Sequence, residues 1–234
     1  MGRPDAGSLQ PIASRIHTVI LLAILVAGSW AGAIRAPELR SHGARNLTIS
    51  YLATMVMEFL ITAYVVAGVR RRGASLRGLI GGSWKGTRDF FRDVLIAMGF
   101  WVVSILCLAI VRVALHAKTN VNAIRFLAPQ SRTEAFLWIF VALTAGFCEE
   151  IIFRGYLQRQ FIALSGQPVA GILLSAVVFG GSHAYQGGKQ TVVLGVYGAM
   201  FGVLAYWRRS LRPGMMAHAG QDALVGLVIR LLPK

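Results

Sequence analysis

The chain has 234 residues, 56% of them hydrophobic and 14% charged, and carries a formal net charge of +15. Soluble domains hold about 25% charged residues, so the composition excludes an ordinary soluble enzyme. A basic excess of this size would suit nucleic acid, but the basic residues gather at the ends of long apolar runs. Membrane lipids are therefore the expected partner and nucleic acid is not.

The apolar runs cover 17–34, 50–69, 93–115, 134–164, 168–183, 190–206 and 213–232. Runs near 20 apolar residues read as membrane spans, and the expected fold is all-α, a polytopic integral membrane protein with about seven to eight transmembrane helices. The first run contains "AGA" at 31–33 and is expected to be a retained helix, with a cleaved signal peptide as the alternative. Two spaced glycine pairs, Gly28/Gly32 and Gly198/Gly202, suit close helix packing in lipid.

The loop after the second run holds Arg70, Arg71, Arg72, Arg77, Lys85, Arg88 and Arg92, and a later loop holds Arg208, Arg209 and Arg212. Positive charge marks the cytoplasmic ends of spans. Four runs separate the two loops, so both fall on one side. The N-terminus is expected in the cytoplasm and the C-terminus outside, across a bacterial or archaeal plasma membrane. Cys107 and Cys148 both lie inside apolar runs, where they act as small hydrophobes rather than disulfide partners.

Charge inside an apolar run is expensive and marks function by default. Beyond the third run six such groups stand in spaced sets: Glu149, Glu150 and Arg154 in "FCEEIIFRGYL", His183 in "FGGSH", and His218 with Asp222. Glu150 and Arg154 are four residues apart and share a helix face, as do His218 and Asp222. Glu149 is turned about 100° from Glu150. Any one of these groups has a bland explanation, since a Glu–Arg pair neutralises itself and a membrane histidine can bond a carbonyl. The ordered set is harder to explain that way. His17, His42 and His116, at helix ends or in loops, are expected to be solvated.

The ordered trio Glu-Glu-x-x-x-Arg, Phe-x-x-x-His and His-x-x-x-Asp resembles the CPBP family of intramembrane proteases, also called the Abi or CAAX amino-terminal protease family. Its best-known member is the Ras-converting CAAX prenyl endopeptidase. The resemblance covers about residues 130 to 232. It implies that residues 130–234 form a catalytic transmembrane core, with residues 1–129 supplying N-terminal helices of the same integrated domain. It further implies that Glu149 activates water with help from His183, that Glu150 and Arg154 brace the site, and that His218 and the residue four later polarise the scissile carbonyl. That last residue is Asp222, where the endopeptidase branch typically carries Asn.

Bottom-up chemistry agrees in outline, because peptide hydrolysis needs a base for water, a donor to the oxyanion and a proton source for the leaving amine. The expected function is hydrolysis of a peptide bond in a membrane-associated protein or peptide, prenylated or not, without a cofactor. Zinc held by Glu149, His183, His218 and Asp222 is the alternative. Competing functions are a non-catalytic immunity or binding protein on the same scaffold, a proton-linked transporter, and cysteine proteolysis through Cys148.

The run 134–164 would measure about 46 Å as one helix against about 30 Å of hydrocarbon, so it must tilt, break or project. Gly166 and Pro168 mark the turn after it. A hairpin there sets Glu149 and His183 at equal depth. Residues 184–206 then have little length to leave and return, and a re-entrant segment around Gly187–Gly188 is one solution.

Overall fold

The computed structural model describes residues 10–42, 46–117 and 125–231, and it is helical, with no strand among the described residues. In chain order the helices are α1 (Arg15–His42), α2 (Leu47–Arg70), the short α3 (Leu76–Ile80) and α4 (Thr87–Ala114). A long rod, α5, then runs from Arg132 to Ser165, followed by α6 (Pro168–Ser182), α7 (Gly188–Arg208) and α8 (Arg212–Leu231). Five of these, α1, α2, α4, α5 and α7, are long and apolar enough to cross a membrane. The expected spans 168–183 and 213–232 correspond to α6, 15 residues long, and α8, 20 residues long, which stand outside that set. The protein is a polytopic helical membrane protein.

The rod α5 is the centre of the molecule. Over its most apolar window 56% of residues are buried, against 11% for α1 and α4, whose faces are left for lipid. It starts at a capping box in which Ser131 and Glu134 bond each other's backbone. Between Glu150 and Leu157 its hydrogen bonding widens to π-helical, and all eight residues there are buried. Such widened turns recur at functional sites. The rod ends in Gly166 at φ 69°, a left-handed cap, and Pro168 opens α6. The turn is the one the sequence marks.

Helices α2 and α8 pack on α5, while α6 and α7 pair with each other beside it. A Cβ at Gly146 of α5 would overlap Ala219 of α8, so this glycine sets the approach of the two helices. Further along, Trp138 fills a notch at Gly226 and donates to the Asp222 carbonyl at 2.9 Å. Gly198 and Gly202 behave as expected, lying against Phe179 of α6 and Gln158 of α5. Gly28 does not, because a Cβ there would meet open space, and Gly32 only reaches Tyr185.

Beyond α6 the chain reverses in a 3₁₀ turn over Ala184–Gln186 and returns in the single helix α7, which gives the path of residues 184–206. One further expectation is corrected. His17 is buried rather than solvated, stacked on Tyr64 with ring centroids 3.9 Å apart, because the start of α1 docks against α2 and α5. His116 is exposed as expected. The His42 side chain lies outside the described residues.

The two basic loops meet at one end of the bundle. Leu211 N donates to Ile80 O at 2.9 Å, and Arg159 donates to the carbonyls of Gly78 and Leu79. Asp93, fully buried, accepts from Trp84, Arg208 and Arg212. Their shared end agrees with the even number of runs between them.

Candidate active site

The widened turn of α5 holds a buried ion pair. Arg154 lies 3.0 Å from Glu150 Oε1, with the two side chains 1% and 0% exposed. The guanidinium is enclosed by aromatic faces, 4.3 Å from the Phe179 ring centre and 5.0 Å from that of Phe201, and Nη2 donates to Gly198 O. Each charge here depends on its partner, since an isolated ion at this depth is costly. Gly214 lets α8 pass close by, where a Cβ would come 3.1 Å from Glu150 Oε2.

His218 of α8 joins this pair to the rest of the site. Its Nδ1 lies 3.2 Å from Glu150 Oε1, so Nδ1–H donates to the carboxylate and fixes the ring. Its Nε2 then faces Glu149 Oε2 at 3.8 Å and Asp222 Oδ2 at 3.6 Å. The imidazole therefore stands between a sealed carboxylate and two more open ones: Glu149 is 19% and Asp222 37% exposed.

His183 stands at the end of α6. Its Nδ1 lies 2.9 Å from the Phe179 carbonyl, which can only accept, so Nδ1 carries the proton and Nε2 keeps a lone pair. Its ring packs on Phe179, which also lies against His218. His183 is within electrostatic range of Asp222. Among the described residues no hydrogen bond or ion pair joins it to Glu149, so a bridging water or substrate would have to connect them.

The structure thus brings Glu149, Glu150, Arg154, His218 and Asp222 together directly, and sets His183 at the edge of the same cluster. Cys148 is fully buried, on a different side of the rod from Glu150. One group was missed. Glu58, the only acidic residue of α2, lies within electrostatic range of Glu149, His218 and Asp222. The signal was available, since a lone carboxylate inside the run 50–69 breaks the same rule that drew attention to Glu149.

Among the described residues no group of three or more His, Cys, Asp and Glu is arranged to hold a metal ion. The Nδ1 atoms of both histidines are committed, to Glu150 and to the Phe179 carbonyl. An apolar groove of about 410 Å³ opens beside the cluster, between α4, α5 and α8. Trp101, Ile139, Leu143, Ala217 and Ala219 are among its walls, so it reaches both chain neighbours of His218.

Fold and site together define a polytopic membrane protein with an acid–histidine cluster in its helical core. Residues 131–224 match the family model of the type II CAAX prenyl endopeptidases, Rce1-like, so this part of the chain is similar to CAAX proteases. The match takes in Glu149, Glu150, Arg154, His183, His218 and Asp222, and leaves α1 to α4 outside. No curated protein matches the chain, and no solved structure does.

Proposed function

We propose that the protein is an intramembrane endopeptidase that hydrolyses a peptide bond in a membrane-associated, prenylated CAAX-type protein. Glu149 takes a proton from water held between it and His183 Nε2. The hydroxide attacks the carbonyl carbon, and His218 donates from Nε2 to the oxyanion while Nδ1–H stays on Glu150. Glu149 then returns the proton to the nitrogen as the C–N bond breaks. Glu150 and Arg154 act through His218 by holding its ring, and Asp222 orients it from the other side. The reading assigns no step to a metal.

The observation that carries this reading is the geometry of His218, held at Nδ1 by one glutamate and facing the adjacent glutamate with Nε2. The groove beside Ala217 and Ala219 supports an apolar anchor on the substrate, because a lipid chain seated there would bring its attached residue to His218. The basic end of the bundle is read as cytoplasmic, which places the N-terminus there too.

The test is mass spectrometry on a farnesylated CAAX peptide incubated with the purified protein in lipid nanodiscs. Release of the residues after the farnesylated cysteine is expected, with little release from the unfarnesylated peptide. If wild type and Glu149→Gln release fragments at the same rate, the assignment is wrong.

A further inference from the structure

We propose that Glu58 is a further catalytic residue of this site: the carboxylate that receives the nitrogen on the leaving side of the scissile bond. The inference rests on the protease reading above.

Its basis is the register of α2 on α5. Tyr51 packs on Trp138 with ring centroids 5.5 Å apart, Thr62 lies beside Cys148, and Val65 and Val69 join Ile151 and Ile152 in one apolar cluster. These contacts rise in step, so the two helices run parallel in a single register. Glu58 therefore sits level with the turn of α5 just before Glu149. Glu58 shares the α2 face that carries Tyr51, Thr62 and Val65 toward α5, and it lies within electrostatic range of Glu149, His218 and Asp222.

Among the described residues Glu58 Oε2 is buried without a hydrogen-bond partner, as are Glu149 Oε2 and Glu150 Oε2 of the same cluster. Buried polar oxygens are nearly always bonded, so an orphan of this kind calls for an explanation. A structural one is not at hand, because Arg154 is already committed to Glu150, and the only other charged residue of α2 is Arg70 at its far end.

The reaction has one atom that gains positive charge, the peptide nitrogen. It begins as an amide N–H and leaves as an amine that becomes ammonium. The oxyanion has His218 and the water has Glu149 and His183; Glu149 later delivers the proton to the nitrogen, but none of these groups accepts from its N–H. An acceptor fixed where charge develops stabilises the transition state without reorganising. In this step Glu58 accepts the N–H hydrogen bond throughout and pairs with the ammonium once it forms. Water supplies the hydroxyl and, through Glu149, the proton on nitrogen, so no other reactant is consumed.

An ester removes the feature that Glu58 would recognise. The test compares the farnesylated CAAX peptide with a depsipeptide of the same sequence carrying an ester at the scissile bond, which has no N–H there and releases an alcohol. Glu58→Gln is expected to lower kcat/KM for the peptide by about tenfold to a hundredfold, the scale of a hydrogen bond to a charged group. Ester turnover should be unchanged or faster. Equal losses on both substrates would mean that Glu58 only supports packing, and no loss on either would make it a spectator; each overturns the proposal. Should Glu58→Gln fail to insert, Glu58→Asp withdraws the oxygens by one methylene and carries the same expectation and the same reversals. A wild-type protein that cleaves neither substrate removes the protease reading and this inference with it. Cleavage of both, with Glu58→Gln indifferent, removes this inference alone.

Discussion

Glu149 and Glu150 are neighbours in the chain and opposites in the fold. Glu150 is fully buried, paired to Arg154 and bonded to His218, with aromatic rings closing the pocket behind it. Glu149 is partly open, faces His218 Nε2 and lies within electrostatic range of Asp222 and Glu58. One rotation of about 100° along the helix separates a carboxylate held in a sealed brace from one held where water can reach it. A charge sealed in lipid needs a partner to exist at all, and removing the partner costs stability. A charge at the edge of a polar cluster is free to react, and removing it should cost chemistry instead.

The largest effect is expected in the sealed half. Arg154→Ala strands Glu150 without its counter-ion, and breaking a buried pair in this way costs about 3–5 kcal/mol. Thermal unfolding in detergent should register that loss, and turnover should fall with it because His218 loses its anchor. A variant that melts like wild type would show that the pair carries no structural weight. On the open side, His183→Ala should lower turnover by about a hundredfold with little change in melting. Its double variant with Glu149→Gln should be barely worse than either alone, since groups acting as a unit are not additive. Fully additive losses would separate the two residues.

Asp222→Asn should have the smallest effect. An amide can still orient His218, so activity should stay within about tenfold of wild type on the scale of a single neutral hydrogen bond. Metal analysis of the same samples sharpens the point. Zinc present in stoichiometric amount in the wild type, and lost together with activity in Asp222→Asn, would make Asp222 a ligand and replace the metal-free account.

Much of this was legible in the sequence, for physical reasons. Charge is so disfavoured in apolar runs that six ionisable groups stood out, and five of them meet directly. The Gly166–Pro168 turn announced the hairpin between α5 and α6 because both residues carry strong backbone preferences. The π-helical widening over Glu150–Leu157 was not legible, since no residue preference in that stretch marks an α-to-π change. Glu58 was less legible, because a single carboxylate on α2 has no charged partner at helical spacing. The groove beside His218 is walled by α4, α5 and α8, which are far apart in sequence, so no local pattern records it. His17 at the start of a run looked solvated, yet Tyr64 of α2 covers it.

The most direct test of the division between the two glutamates is to measure turnover and thermal unfolding on Glu149→Gln and Glu150→Gln side by side. The account predicts that Glu149→Gln melts like wild type while turnover falls by about a hundredfold or more, and that Glu150→Gln loses stability and turnover together. Near-wild-type turnover in Glu149→Gln, or a melting loss as large as that of Glu150→Gln, would contradict it.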